Sequence, residues 1–185
     1  MEVVDLELPG LKLLKPRVFR DDRGFFLETY RKENYRAVGI DCEFVQDNHS
    51  RSVKGTLRGL HYQSSPGQAK LLRVASGRIF DVAVDIRPGS ATFGRWHAVT
   101  LDAEDHNQYF IPVGFAHGFC VLSETADVVY KVSNPFDLAT ECTLKWDDPS
   151  VGITWPVDAP LLSERDKARA ESFSDYARRM GAESH

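Results

Sequence analysis

The sequence lacks the features that define several large classes of protein. Its formal net charge of −4 provides no broad basic surface for nucleic acid. No apolar run approaches the length of a membrane-spanning helix, so no membrane partner is expected either. No repeat, linker or low-complexity tract divides the 185 residues. We therefore expect a single domain over 1–185, with a helical tail from about 164.

Cysteine is also scarce. Cys42, Cys120 and Cys142 are odd in number and widely spaced, a pattern that favours reduced thiols and a cytoplasmic location. Cys120 lies in an apolar run, so a core position is the simplest interpretation. No His-x-His pair occurs, although β-barrels that hold a metal usually present one with a carboxylate. We therefore predict no metal, with scattered ligands as the alternative.

Strand patterns account for most of the chain. In 78–86, Phe80, Val82, Val84 and Ile86 share one face, while Asp81 and Asp85 share the other. Further strands are predicted over 70–74, 93–101, 108–111, 118–122 and 127–132. Their spacing, with Gly, Pro and Asn between them, is typical of an all-β sandwich or barrel. Helices are predicted only over 30–38, ending at Gly39, and over 166–180.

Residues 58–63, Arg-Gly-Leu-His-Tyr-Gln, carry the strongest chemical signal. His61 can accept a proton near neutral pH, Lys70 can hold a developing oxyanion, and Arg58 can bind a phosphate through two nitrogens. Strict strand alternation would place Arg58 and His61 on opposite faces. A bulge at Gly59 would turn both towards one cavity.

Each of these residues also has a plainer interpretation. A lone histidine such as His61 is often structural, and a lysine that opens a strand, as Lys70 does, is often a solvated charge. Tyr130 would face a barrel interior, where its hydroxyl either makes a structural hydrogen bond or donates a proton. Arg23 and Glu28 are surface charges in the simplest reading. The polar cluster 46–50 is either a turn or a hydrogen-bonding edge for a sugar or base.

Together these segments resemble one family, the dTDP-4-dehydrorhamnose 3,5-epimerases of the cupin superfamily. The resemblance runs from about residue 17 to residue 166, and its motifs are long and in order. The matching segments are 22–26, 44–50, 57–63, 70–74, 81–85, 111–119, 146–155 and 162–166.

The resemblance implies a double-stranded β-helix, a jelly-roll barrel of the cupin type with short peripheral helices. It also implies a homodimer that uses no cofactor or metal and binds a dTDP-sugar. It makes His61 the base, Tyr130 the acid, Asp166 the residue that orients His61, and Lys70 the group that holds the oxygen on carbon 4. The implied nucleotide and sugar contacts are Arg23, Glu28, Gln46, Asp47, Asn48, Arg58, His117 and Glu141.

Two positions depart from the commonest pattern of the family. Phe136 stands where a tyrosine usually stacks on thymine, so a stacking face remains but the hydroxyl is lost. Arg165 replaces the usual lysine, which keeps the charge and changes its geometry.

The residues and the resemblance indicate the same chemistry. A ketone at carbon 4 acidifies the protons on carbons 3 and 5, so one base and one acid on opposite faces of the ring can invert a centre. We expect conversion of dTDP-4-dehydro-6-deoxy-D-glucose to dTDP-4-dehydro-L-rhamnose. The alternatives are a mono-epimerase of another deoxysugar pathway and a non-catalytic barrel that only binds sugar nucleotides.

Overall fold

A computed structural model describes residues 1–181, and strands predominate in it. The described part contains thirteen strands and three short helices. The first strands are β1 Glu2–Asp5, β2 Lys12–Lys15, β3 Val18–Asp21, β4 Gly24–Leu27, β5 Gln46–Val53, β6 Leu57–Gln63 and β7 Lys70–Ser76. The others are β8 Arg78–Asp85, β9 Trp96–Asp102, β10 Gln108–Ile111, β11 Phe115–Val121, β12 Thr125–Val132 and β13 Glu141–Thr143. The helices are α1 Lys32–Arg36, α2 Glu164–Arg169 and α3 Phe173–Arg179.

Two antiparallel sheets form the body of the protein. The six-stranded sheet has the order β1-β2-β10-β7-β12-β5, and the five-stranded sheet has the order β13-β6-β11-β8-β9. Within residues 1–181, strands β3 and β4 pair only with each other, as a separate hairpin. The prediction of an all-β, cupin-like fold with short peripheral helices is confirmed.

Three apolar clusters cover the faces of the sheets. One lies between the sheets and includes Leu72 from β7 and Ala83 from β8. A second joins the outer face of the five-stranded sheet, at Val82 for example, to Trp155 and Phe173 near the C-terminus. A third packs the segment around α1 on the outer face of the six-stranded sheet. Because both faces of β8 are covered, its alternating carboxylates are buried rather than exposed to solvent.

The prediction of one helix over 166–180 is wrong. The chain forms α2, then an extended link at Ala170 and Glu171, then α3. Ser172 ends the link because its Oγ accepts the backbone N–H of Asp175 and caps α3. Ser163 caps α2 in the same way. No helix within residues 1–181 has the length and apolar character that crossing a membrane requires.

Other boundaries differ by a few residues. Helix α1 is shorter than the predicted 30–38, although Gly39 does take the left-handed conformation that ends such a helix, with φ of +84°. Strand β9 begins at Trp96 rather than at 93, and β11 begins at Phe115 rather than at 118. The polar cluster 46–50 is not a turn, since it forms most of strand β5.

Candidate active site

A bulge in β6 turns Arg58 and His61 to the same side of the sheet. On the neighbouring strand β11, Phe119 pairs with Arg58 and His117 pairs with His61. An interval of three residues on β6 therefore lies opposite an interval of two residues on β11. Gly59 has φ of +132°. A Cβ at this position would lie 2.5 Å from the Cα of Gly118. The bulge therefore requires glycine, and its predicted effect on Arg58 and His61 is confirmed.

An open cavity of about 300 Å³ lies between the two sheets, and most of the predicted site residues line it. His61 reaches it from the five-stranded sheet, whereas Lys70 and Tyr130 reach it from the six-stranded sheet. Groups on the two sheets thus face each other across any ligand in the cavity. The predicted residues that line it are Gln46, Asn48, Arg58, His61, Lys70, His117, Tyr130, Phe136, Glu141 and Arg165.

Asp166 contacts His61 from the first turn of α2. The Oδ1 of Asp166 accepts a 2.6 Å hydrogen bond from Nε2 of His61. Burial alone would raise the pKa of Asp166, but hydrogen bonds from His61 and Ser163 bring it below its ordinary value. With its Nε2 proton directed to this carboxylate, His61 keeps the lone pair of Nδ1 for a proton. This is the geometry of a base and its orienting partner.

Lys70 is buried, with 7% of its surface exposed, and is not the solvated charge of the plainer interpretation. Its Nζ donates a 3.2 Å hydrogen bond to the backbone oxygen of His61. Burial lowers the pKa of Lys70 to about 8, and the nearby carboxylates of Asp81 and Glu141 offset only part of that effect. At neutral pH it therefore presents a poorly solvated positive charge beside His61, which suits an oxyanion in a ligand.

Tyr130 is half-buried and faces His61 from the opposite sheet. Burial raises the pKa of its phenol, and the positive charge of Arg58 counters this only partly. The hydroxyl is therefore protonated at neutral pH and can donate. Within residues 1–181, no side chain or backbone group accepts a hydrogen bond from it. The structural hydrogen bond considered above is thus absent from the described part of the chain.

A second histidine–carboxylate pair adjoins the first. His117 Nε2 lies 3.0 Å from both carboxylate oxygens of Asp81, which is fully buried. Burial lowers the pKa of His117 and raises that of Asp81. The sequence interpretation missed Asp81, although the alternation in β8 marks it, because a carboxylate on a covered strand face requires a partner. Across residues 1–181, His, Cys, Asp and Glu side chains form no group of three that could hold a metal.

The mouth of the cavity carries a ring, amides and an ion pair. Phe136 is half-exposed there, and its backbone N–H donates to Oε1 of Gln46. Gln46 in turn donates to Asn48. Arg165 binds Glu141 through two nitrogens, at 2.7 and 2.9 Å. This end of the cavity therefore offers a stacking face, hydrogen-bonding amides and a guanidinium.

Three predicted contact residues lie away from the cavity. Arg23 is on the β3–β4 hairpin, where its largely exposed side chain pairs with Asp21. Glu28 accepts a hydrogen bond from Asn34, and Asp47 lies on the outward face of β5, where it pairs with Lys131. Within one chain these three do not join the other predicted residues.

Comparison with known proteins places this chain in a family. The profile of the dTDP-4-dehydrorhamnose 3,5-epimerases matches residues 5–175. The chain belongs to the dTDP-4-dehydrorhamnose 3,5-epimerase family. It is 54% identical over 169 residues to the enzyme of this name from Neisseria gonorrhoeae; the match covers 91% of this chain but only 52% of that protein, so the chain spans about half its length. The resemblance stated from sequence is confirmed.

Solved structures give the same result over nearly full-length chains. The dTDP-6-deoxy-D-glucose-3,5-epimerase from Legionella pneumophila, solved with dTDP-4-keto-L-rhamnose, is 46% identical. It superposes with a TM-score of 0.89 and 91% coverage of each chain. A 3′-monoepimerase from Streptomyces bikiniensis, solved with dTDP-quinovose, is 38% identical, with a TM-score of 0.87. That match covers 95% of this chain and 89% of the other.

Proposed function

We propose that this protein is a dTDP-4-dehydrorhamnose 3,5-epimerase that inverts carbons 3 and 5 of dTDP-4-dehydro-6-deoxy-D-glucose. His61 removes the proton from the carbon next to the 4-keto group. Lys70 stabilises the enolate oxygen that results, from a buried position where water screens its charge poorly. Tyr130 returns a proton from the other face of the ring. The electron pair moves from the broken C–H bond to the ketone oxygen and then back to carbon.

The placement of His61 and Tyr130 on different sheets carries this proposal. A sugar ring between them would meet a base on one face and a protonated phenol on the other, which inversion requires. The hydrogen bond to Asp166 supports His61 as the base. A barrel that only binds sugar nucleotides would not need such an opposed pair. Family membership supports the same activity, and we propose the reaction without a cofactor or metal.

Product analysis by NMR in heavy water tests the proposal. We expect deuterium at both carbons 3 and 5, together with formation of the L-rhamno product. The similarity to a 3′-monoepimerase favours one alternative, a mono-epimerase of another deoxysugar pathway. Inversion at carbon 3 alone would establish that alternative. Tight binding of the substrate without exchange at either carbon would instead indicate a binding protein.

We also propose that the protein acts as a homodimer in which the hairpin of one copy completes the cavity of the other. In the described part of the chain the hairpin pairs with no other strand, and it exposes Phe19, Phe25 and Phe26, which are 49–69% accessible. An isolated two-stranded hairpin is only marginally stable in water, and clustered exposed aromatics mark an interface. The same hairpin carries Arg23, which lies away from the cavity of its own chain.

Mixing two inactive variants tests the dimer. Arg23→Ala and His61→Ala homodimers should each be nearly inactive. A heterodimer that pairs them would contain one site with both residues intact, so co-expression should restore part of the activity. A monomer by light scattering, or no recovery in an isolated heterodimer, would contradict this arrangement.

A further inference from the structure

Asp166 belongs to a short segment that is held by backbone hydrogen bonds at both ends and by the Arg165–Glu141 ion pair near its middle. We call residues 161–171 the strap. At one end, Leu161 pairs with the backbone of Gly55 and Leu57. At the other end, Glu171 exchanges backbone hydrogen bonds of 2.9 Å with Thr143 and Lys145, on and beside β13. Between these ends, α2 is only six residues long and Asp166 is its one buried residue. The position of Asp166 therefore depends on where the ends of the strap are held, together with the Arg165–Glu141 ion pair beside it.

The side chain of Glu171 fastens the second end to the strand that carries His61. Its Oε1 accepts hydrogen bonds from the hydroxyl of Tyr62, at 2.9 Å, and from Nη2 of Arg179, at 2.6 Å. The same nitrogen of Arg179 donates to the Tyr62 hydroxyl at 3.0 Å. Tyr62 is 7% exposed, and its ring packs edge-on against Tyr176 of α3. We refer to Tyr62, Glu171 and Arg179 as the clamp.

The clamp and the His61–Asp166 pair each use one of two consecutive residues of β6. His61 faces the cavity and contacts Asp166, whereas Tyr62 packs in the cluster outside the sheet and contacts Glu171. One strand therefore fixes the strap at two points, five residues apart along the strap. A shift of Glu171 relative to Tyr62 would move Asp166 relative to His61. An exposed ion pair alone would contribute little, but the Tyr62 hydroxyl and Glu171 are partly or fully shielded.

We propose that the clamp positions Asp166, so that Glu171 acts on the reaction through the Asp166–His61 hydrogen bond. This inference rests on the roles of His61 and Asp166 proposed above. Glu171 is a positioning residue because it does not line the cavity. Its loss should leave the binding of dTDP intact and reduce turnover, because a displacement of about 1 Å at a reacting group can lower the rate by roughly 100-fold.

Steady-state kinetics of a double-mutant cycle tests the clamp. Glu171→Ala should lower kcat by about 10-fold to 100-fold, with the KM and the dTDP affinity unchanged. Glu171→Gln should recover most of the loss, because its amide oxygen still accepts from Tyr62 and Arg179. In Asp166→Asn, which is itself slow, adding Glu171→Ala should cause no further loss of kcat, because the group being positioned is already gone.

Two further variants keep the test decisive. Glu164→Ala removes an exposed carboxylate from the same strap, which among residues 1–181 pairs with Lys167 alone, and should leave kcat unchanged. If Glu171→Ala does not fold, Tyr62→Phe removes a single oxygen from the clamp and should show the same pattern. Unchanged kcat in Glu171→Ala and Tyr62→Phe, or losses that multiply with Asp166→Asn, would overturn the clamp while the role of Asp166 stands. Full activity of Asp166→Asn would overturn both.

Discussion

Lys70→Met should make the protein more stable and almost inactive. Burial lowers the pKa of Lys70 from its ordinary 10.5 to about 8, so the folded state holds this proton less tightly than the unfolded chain does. The difference corresponds to a cost of about 3.5 kcal/mol at neutral pH, at roughly 1.4 kcal/mol for each tenfold change in proton affinity. Methionine has a similar length and no charge, so it removes most of that cost. Turnover should fall because the enolate oxygen loses its cation.

The stability gained by Lys70→Met should decrease as the pH rises. Below pH 8 Lys70 is charged in both states, and the full cost applies. Between pH 8 and 10.5 the folded protein loses the proton first, so the cost shrinks as the pH rises and vanishes above 10.5. At pH 7 the free energy of unfolding of Lys70→Met should therefore exceed that of the unaltered protein by up to about 3.5 kcal/mol. The two values should converge towards pH 10.5.

Urea unfolding at pH 7, 9 and 10 measures the difference, and NMR of the sugar product measures turnover. Lys70→Arg is the matched control, because it keeps a charge that burial cannot readily neutralise and should not stabilise the fold. If Lys70→Met were no more stable than the unaltered protein at pH 7, the reasoning from burial would be refuted. Near-normal turnover would refute the role of Lys70 at the oxyanion.

Three more changes test separate parts of the account. Tyr130→Phe should still exchange the substrate proton with solvent but seldom invert the centre, and NMR in heavy water measures both. An equal loss of exchange and inversion would indicate a binding role. Phe136→Leu should weaken dTDP binding by roughly 1–3 kcal/mol, the range for an aromatic–base stack, while Phe136→Tyr is tolerated; calorimetry with unchanged Kd in both would exclude stacking. Gly59→Ala should destabilise the fold by at least about 1–3 kcal/mol through backbone strain alone, which thermal unfolding measures; an unchanged Tm would contradict the tight bulge.

Much of the candidate site could be predicted from the sequence, because it depends on local patterns of residue types. Gly59 between Arg58 and His61 predicts a bulge, and the bulge is present. The alternation in β8 correctly separates Asp81 from Val82. The alternation does not show that the C-terminal segment covers the Val82 face, which leaves the Asp81 face between the two sheets. The sequence therefore does not predict that Asp81 pairs with His117. That pairing depends on tertiary packing across strands 36 residues apart.

Other features depend on contacts that no local pattern contains. The residues 166–180 have a continuous helical composition, yet Glu171 pairs with β13 and breaks the helix. The serines at 163 and 172, each three residues before an aspartate, were a usable signal for two separate helix starts. Asp166 meets His61 across 105 positions, and only the family resemblance predicted that contact. Arg23 and Glu28 remain predictions, since a single chain leaves them away from the cavity.

The assignment of His61 as the base is the central claim, and deuterium exchange in His61→Ala tests it most directly. The variant should bind dTDP as the unaltered protein does, because His61 is not assigned to the nucleotide. In heavy water it should incorporate deuterium at carbons 3 and 5 slower by about 10²–10⁴-fold, the contribution of a positioned base. Exchange at the normal rate in a folded His61→Ala protein would contradict the account.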